Sequence, residues 1–241
     1  MHPQHPRSGP VLPALLLLLL VLACAAGAGC ITGTGHRSSL DQNTTGDLRA
    51  YFLDVGQGDA SIILFKDKVI VIDSGETDQG DEVVAALEEL GVEKIDLLVA
   101  THPHSDHIGG MQKVLANFRV QKVLDSGTPS TSPLYERFLE RVEKQGITYI
   151  VARQGQTIDI DPALGILVLW PPENRSSDDP NANSIVVRLS YGTVNLLYTG
   201  DATASAEEAI TKTGYPLNAQ VLKIGHHGSS GSSSAPFLSR V

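Results

Sequence analysis

The sequence predicts an α/β fold in which two β-sheets are covered by helices on their outer faces. Three observations lead to this prediction. From residue 48 onward the hydrophobic period switches repeatedly between about 2 and about 3.6 residues, as it does where strands and helices alternate. Strands outnumber helices, above all in the second half of the chain. Several strands follow one another closely enough to pair as hairpins, which argues against a purely parallel, doubly wound sheet.

Short apolar runs and amphipathic segments alternate in the first half of the domain. Residues 81–90 predict a helix with its apolar side chains on one face, and Gly91 marks its end. Residues 95–100 form a nearly continuous apolar run, which is typical of a strand buried on both faces. The other predicted elements of this half are strands at 48–54, 60–65, 69–73 and 120–124 and a helix at 108–118.

The second half is predicted to be mostly strand. A helix runs from Ser132 to Gln145, with Pro133 in its first turn and Gly146 after its end. Residues 181–200 predict a hairpin that turns at Tyr191-Gly192-Thr193. The remaining elements are strands at 147–151, 166–170, 185–189, 194–198 and 220–224 and a helix at 205–212.

Composition and charge exclude several classes of protein. The chain has 241 residues, 41% of them hydrophobic, which is enough for one large globular domain or two small ones. Its formal net charge of −9 argues against a basic protein that coats nucleic acid, because phosphate contacts need dense Lys and Arg. A site that holds a phosphodiester through metal ions is not excluded by this charge. No cysteine follows Cys30, which rules out a thiol nucleophile or a Cys-ligated metal beyond it.

Residues 1–30 have the pattern of an export signal. Arg7 precedes an apolar run from Val11 to Leu22, and small residues follow that run. An uncleaved membrane anchor is the alternative, because the apolar and small residues 11–29 are just long enough to span a bilayer. Either interpretation predicts an exported protein, and the uncleaved anchor would also hold it at the membrane by its N-terminus.

Two cysteines refine this prediction. Residues 21–24, which end at Cys24, resemble the lipobox of lipoproteins, and residues 27–30, which end at Cys30, resemble a less regular one. Lipidation of either residue would leave the mature protein attached to the cell surface, and the choice between them stays open. Residues 31–47 are small, polar and without a period, and they predict a flexible tether to the domain at 48–241.

Histidines are concentrated in two short motifs of the domain. Five of the eight histidines lie in these motifs, and none lies in the long interval between them. In the first motif, His102 and His104 are two residues apart in extended chain, so their rings point to the same side. Asp106 and His107 follow where a helix begins. Four nitrogen and oxygen ligands within six residues are enough to begin two adjacent metal sites.

This His-x-His-x-Asp-His run resembles the signature of the metallo-β-lactamase superfamily, and the resemblance extends over nearly all of residues 48–241. It implies a four-layer αββα fold. It also implies that Asp73, in a strand-end Asp-x-Gly motif, orients a metal ligand. Asp201, in a strand-end Gly-Asp motif, is implied to bridge two metal ions.

The second histidine motif, Gly225–Ser229, resembles the last histidine motif of the superfamily. Its adjacent residues His226 and His227 leave open which of them binds metal. The His-Gly step favours His227 as the ligand, so that His226 would face the substrate as a hydrogen-bond donor or acid.

A narrower resemblance, to the extracytoplasmic domain of ComEC-like competence proteins, is carried by residues 54–60, Asp-Val-Gly-Gln-Gly-Asp-Ala. The alternative for this motif is a glycine-rich turn between two strands. The resemblance implies that Gln57 and Asp59 lie at the mouth of the site, with Asp59 taking part in catalysis. It also implies substrate contacts for Asn183 and Ser184.

Two departures from the superfamily pattern affect these expectations. Most members supply a further histidine between the first motif and the bridging aspartate, whereas this chain has none there. The ion held by His102 and His104 would then have few protein ligands, and β-lactam hydrolysis becomes a weaker expectation. Residue 241 also comes soon after the last motif, so the sequence is expected either to be a truncated form or to leave one sheet without its edge strand.

The implied ligand set predicts a hydrolase with two divalent ions. His102 and His104 would hold one ion, and Asp106, His107 and one of the adjacent histidines would hold the other. Imidazole ligands favour zinc, and the carboxylates also allow manganese. A hydroxide that bridges the ions would attack phosphorus or a carbonyl carbon.

The leading hypothesis is cleavage of phosphodiester bonds, in DNA or in a phosphate-bearing surface polymer. Hydrolysis of a carboxylic ester, amide or lactam by the same site is the second hypothesis. A non-catalytic surface domain that keeps its metal for structure is the third. The sequence indicates no obligate protein partner.

Overall fold

The structure, a computed structural model, describes residues 47–175 and 177–241. The predicted export signal, both lipobox cysteines and the tether up to residue 46 lie outside the described residues. Within these described ranges, no helix is both long enough and apolar enough to cross a membrane.

The strands are β1 (Leu48–Phe52), β2 (Ser61–Phe65), β3 (Lys68–Ile72), β4 (Lys94–Ile95), β5 (Leu97–Ala100), β6 (Arg119–Val120), β7 (Lys122–Asp125), β8 (Thr148–Val151), β9 (Gly165–Trp170), β10 (Val186–Tyr191), β11 (Val194–Tyr198) and β12 (Val221–Lys223). The helices are α1 (Gly80–Glu89), α2 (Ser105–Ile108), α3 (Met111–Asn117), α4 (Pro133–Lys144), α5 (Ala204–Thr211) and α6 (Ala235–Leu238).

Ten of the strands form two mixed sheets, and β4 and β6 pair in parallel as a separate two-stranded sheet. The first has six strands in the order β1-β2-β3-β5-β7-β8, antiparallel from β1 to β3 and parallel from β3 to β8. The second has four strands in the order β12-β11-β10-β9, with β12 parallel to β11 and the other pairs antiparallel. The expectation of mixed sheets with hairpins is therefore confirmed, and the predicted hairpin pairs Tyr191 with Val194.

Three apolar layers hold these elements together. Successive residues of a strand point to opposite faces, so Ile62 of β2 packs under the first set of helices while Ile63 faces the other sheet. Between the two sheets, residues such as Ile63 and Val99 meet Val187 of the second sheet. The outer face of the second sheet packs against α5 and α6 through residues such as Ile210. The order helix, sheet, sheet, helix is the four-layer arrangement that the sequence implied.

Two predicted elements are divided in the structure. The predicted strand 95–100 is split at Asp96, whose N–H donates to the carbonyl of Val69 and whose carboxylate accepts from the N–H of Val69. The predicted helix 108–118 begins earlier, as α2, and is interrupted before α3. A Cβ atom at Gly110 would collide with the carbonyl oxygen of Ser74, so only glycine allows this close approach.

The site residues lie at one edge of the sandwich. The carboxyl ends of neighbouring parallel strands meet at the same edge of a sheet. Asp73 follows β3 and His102 follows β5 in the first sheet, and Asp201 follows β11 and His226 follows β12 in the second. The topology thus brings together residues that are far apart in sequence.

Candidate metal centre

A first group of possible metal ligands surrounds His102, whose side chain is fully buried. Its Nε2 lies 3.0 Å from Nδ1 of His104 and 3.7 Å from Oδ2 of Asp201. His104 is partly exposed at the rim. Nε2 of His102 thus has a nitrogen of His104 on one side and an oxygen of Asp201 on the other.

A second group is centred on His107, which is also fully buried. Its Nε2 lies 3.3 Å from Oδ1 of Asp201 and 3.9 Å from Oδ2 of Asp106. His227 completes the group, because its Nε2 lies 3.1 Å from Oδ2 of Asp106 and 3.6 Å from Oδ2 of Asp201. Asp201 therefore stands between the two groups, with one oxygen near each of the two buried histidines.

These separations match the spacing of ligand atoms around a metal ion. Metal–nitrogen bonds of about 2.0–2.1 Å at tetrahedral angles place neighbouring ligand atoms about 3.3 Å apart. Several of the distances just given are also too long for good hydrogen bonds. Nε2 of His107 and Oδ1 of Asp201 are both buried and have no hydrogen-bond partner, although they face each other at 3.3 Å. A divalent cation between them would satisfy both atoms, so the residues present fit a metal ion.

Asp73 orients His107 from behind the ligands. Its Oδ2 lies 2.8 Å from Nδ1 of His107, and since a carboxylate only accepts, that nitrogen donates. Thr101 fixes the carboxylate in turn, because its N–H donates to Oδ1 at 2.9 Å and its hydroxyl donates to Oδ2 at 2.7 Å. This arrangement leaves Nε2 of His107 facing Asp201. The sequence predicted the orienting role of Asp73 but not that of Thr101. The one feature of the sequence that could have indicated Thr101 is its position directly before His102.

The electrostatics of the site separate its two buried histidines. Burial opposes a charge on His107, but the carboxylates of Asp73 and Asp201 outweigh this, and the pKa of His107 is raised well above its usual value. Burial, together with the nearby His107, lowers the pKa of His102 well below its usual value. Although burial raises it, the nearby ring of His107 brings the pKa of Asp201 down to about 2. The two shifts favour positive charge on His107 and a neutral ring at His102.

Asp59 lies inside the site and is buried. Its Oδ1 is 3.2 Å from Nδ1 of His227 and 2.6 Å from Nζ of Lys223. One ligand atom each of Asp59, His107, Asp201 and His227 lie within 4.8 Å of one another. The ion pair with Lys223 favours an orienting role for Asp59 over direct metal binding, because a metal ion would compete with the ammonium group. Lys223 itself was missed, and its one sequence signal is its position just before the second histidine motif.

The loop 54–60 fastens the first motif to the sheet. The N–H of Asp59 donates to the carbonyl of Asp106, and its own carbonyl accepts from the N–H of Gly75. Gly58 has φ +141°, and a Cβ there would lie 2.6 Å from the carbonyl oxygen of Asp106. The glycine is required both by this backbone angle and by this close approach. Gln57 is exposed on the same loop.

The two residues before β10 that were predicted to contact substrate, Asn183 and Ser184, are buried. Ser184 is fully buried, and its Oγ accepts from the N–H of Asp201 at 3.2 Å. The amide of Asn183 donates to the carbonyls of Ser177 and Asp179. Both residues therefore shape loops beside the centre in this structure, and direct contact with substrate stays a prediction for them and for Gln57.

The adjacent histidines both reach the centre. Nε2 of His226 lies 3.7 Å from Oδ2 of Asp201, and Nε2 of His227 lies 3.6 Å from the same atom. All six predicted metal ligands are thus brought to one place, together with Asp59, Asp73 and His226.

Comparison with known proteins agrees with this geometry. Residues 53–241 match the model of the metallo-beta-lactamase superfamily. Competence protein ComA of Neisseria gonorrhoeae is 32% identical over 190 residues, which cover 78% of this chain and 25% of that protein. ComE operon protein 3 of Bacillus subtilis is 26% identical over 207 residues, 78% of this chain and 26% of that protein. The chain therefore spans about a quarter of the length of these relatives.

A solved structure supports the fold. MEM-A1, a subclass B3 metallo-beta-lactamase from a soil metagenome library, superposes with a TM-score of 0.52 at 16% identity, over 78% of this chain and 81% of that protein. The expected resemblance to ComEC-like competence proteins is confirmed by the relatives, and the expected αββα fold by the structure. With its fold, its cluster of possible metal ligands and its family match in agreement, the chain belongs to the metallo-β-lactamase superfamily of metal-dependent hydrolases.

Proposed function

We propose that the protein is an exported hydrolase of phosphodiester bonds that works with two divalent metal ions. The observation that carries the proposal is the placement of Asp201 between two ligand groups, with unpaired buried atoms facing each other. Two ions in such a site lower the pKa of water and neutralise charge that develops on a phosphoryl or carbonyl oxygen. Zinc suits the imidazole ligands best, and manganese is the alternative.

The residues of the chain have distinct roles in this proposal. His102 and His104 would hold one ion, and Asp106, His107 and His227 would hold the other, with Asp201 shared. Asp73 fixes the ring of His107 and Asp59 fixes the ring of His227 through their Nδ1 atoms. Lys223 offsets the charge of the buried Asp59. The ligands are thereby held in place before a substrate arrives.

The substrate class rests on the relatives and on charge. The gonococcal relative is named for competence, which is the uptake of DNA, and this favours a phosphodiester over a lactam. The net charge of −9 favours a small phosphoester or a short segment of single strand over a long duplex. The similarity to MEM-A1 shows the fold alone and does not favour lactam hydrolysis.

A substrate panel tests this proposal. The full-length protein is assayed with zinc and manganese in parallel on bis(p-nitrophenyl) phosphate, single-stranded DNA and a chromogenic cephalosporin. We expect turnover of the phosphodiesters, little turnover of the cephalosporin, and loss of activity in Asp201→Asn. Rapid cephalosporin hydrolysis without phosphodiesterase activity would refute phosphodiester cleavage and favour lactam hydrolysis as the function. No turnover of any substrate by a metal-loaded protein would favour a non-catalytic surface domain.

We also propose attachment at the cell surface through the N-terminus, on the strength of the sequence pattern in residues 1–30. Membrane fractionation of Cys24→Ser and Cys30→Ser tests it. Release of one variant into the soluble fraction would identify the lipidated cysteine. Retention of both variants would favour the uncleaved anchor.

A further inference from the structure

The adjacent histidines of the second motif have an unusual backbone. His226 has φ 49° and ψ 48°, and His227 has φ 52° and ψ 25°. Residues other than glycine rarely adopt this left-handed conformation, and two in succession are costly to hold. In an extended strand adjacent side chains would point to opposite sides. Here the two rings lie 5.9 Å apart at 77° to each other, and both reach Asp201.

The ring nitrogens of the pair have different neighbours. Nε2 of His227 lies 3.1 Å from the carboxylate of Asp106, which belongs to the second ligand group. Nε2 of His226 lies 3.7 Å from Oδ2 of Asp201, the same distance at which Nε2 of His102 lies from that oxygen. This separation is too long for a hydrogen bond and close to that between two ligand atoms on one ion.

We infer that the pair is divided between the two metal ions, with His226 as the third protein nitrogen on the ion of His102 and His104. His227 serves the ion of Asp106 and His107. This inference rests on the proposed dinuclear function and replaces the role of His226 as a substrate-facing acid. It also accounts for the long interval without histidine between residues 107 and 226, because the motif after β12 supplies the nitrogen that such an interval would otherwise provide.

The loop that carries the pair is fixed from both sides. The N–H of His226 donates to the carbonyl of Gly200, directly before Asp201. The N–H of Gly225 donates to Oγ of Ser233, and the buried carboxylate of Glu207 accepts from the N–H of Ser233. The ring of His226 is therefore presented to the shared carboxylate by a rigid turn, and its side chain remains 36% exposed. Substitution at such a position should leave the fold intact.

Metal content tests the inference without relying on activity. The full-length protein and its variants are loaded with zinc, dialysed and analysed for zinc per chain. We expect two ions in the parent protein, one in His226→Ala and one in His227→Ala. Ser230→Ala, an exposed position of the same loop, is the matched control and should keep two.

Double variants show which ion each histidine holds. His226→Ala combined with His104→Ala should still bind one ion, because both changes affect the same site. His226→Ala combined with His227→Ala should bind none. Retention of two ions with unchanged affinity in His226→Ala would overturn the inference while leaving the proposed function in place. A single ion in the parent protein would overturn the dinuclear function and the inference with it.

Discussion

Replacing Asp73 by Asn should weaken metal binding by His107. The aspartate keeps the proton of this ring on Nδ1 and so leaves Nε2 free for a metal ion, whereas an amide does not hold the ring in this tautomer. Asp73 is buried, and its oxygens accept three hydrogen bonds, two from Thr101 and one from Nδ1 of His107. An amide supplies one acceptor and one donor. If its NH2 group faces the ring, Nδ1 must become an acceptor, and the proton then sits on Nε2, toward Asp201.

The size of the effect follows from these contacts. Loss of a group that orients a metal ligand costs about 10- to 100-fold in metal affinity, which is about 1.4–2.7 kcal/mol. The metal-free fold should lose a further ~1–3 kcal/mol of unfolding free energy, because a buried polar group is left without a partner. The affinity is measured by zinc titration against a competing chelator, and the stability by urea unfolding of the metal-free protein.

A matched substitution separates the two effects. Asp125 is also buried at the end of a strand of the first sheet, where it accepts from the hydroxyls of Tyr135 and Tyr149 at 2.9 Å each. Asp125→Asn should lower the unfolding free energy and leave zinc affinity unchanged. Zinc affinity of Asp73→Asn equal to that of the parent protein would refute the orienting role of Asp73.

Three further predictions concern the same centre. Asp201→Asn should lower kcat by about a hundredfold or more in steady-state assays, because this carboxylate faces both ligand groups, and a loss below tenfold would contradict its bridging place. Because the pKa of His107 is raised above its usual value, zinc competes with a proton for this ring up to a higher pH than at an ordinary histidine; zinc affinity should rise with pH and zinc addition should release protons, and an affinity independent of pH would contradict this. Gly58→Ala should lower the unfolding free energy by at least about 2 kcal/mol in urea unfolding, because it combines a disfavoured backbone angle with a collision at Asp106. The control is Gly91→Ala, where φ is +69° and no atom lies within 4 Å of the new Cβ, and its unfolding free energy should fall by about 1 kcal/mol. Equal losses in both variants would show that the collision does not matter.

The sequence predicted the layers of the fold because the periods of its strands and helices are clear. The bounds of some elements were predicted wrongly, because a single contact there determines the backbone conformation. Asp96 divides a run that reads as one strand, because its carboxylate pairs with the N–H of Val69 from another strand. Residues 105–108 are helical although the predicted helix begins only at residue 108, and the following glycines are needed for close approach to Ser74 and Thr77.

The candidate site was predictable where ligands are close in sequence and less so where they meet only in space. The first histidine motif and the strand-end aspartates could be assigned from local pattern. Asp59 and Lys223 are 164 positions apart, and their contact depends on the packing of one sheet against the other. No local pattern contains that information. The left-handed turn at the adjacent histidines could not be predicted from the sequence either, and the direction of each ring depends on that turn.

The ligands come from both sheets of the sandwich, and this links metal supply to the lifetime of the protein. His102 and His107 belong to the loop after β5 of the first sheet, while Asp201 and His227 follow strands of the second. An ion held by both sets ties the sheets together at one edge of their shared apolar layer. At a free metal concentration 100 times the Kd, each ion adds about 2.7 kcal/mol to the native state. Metal scarcity would therefore raise the fraction of chains whose sheets separate, and proteases would remove those chains first.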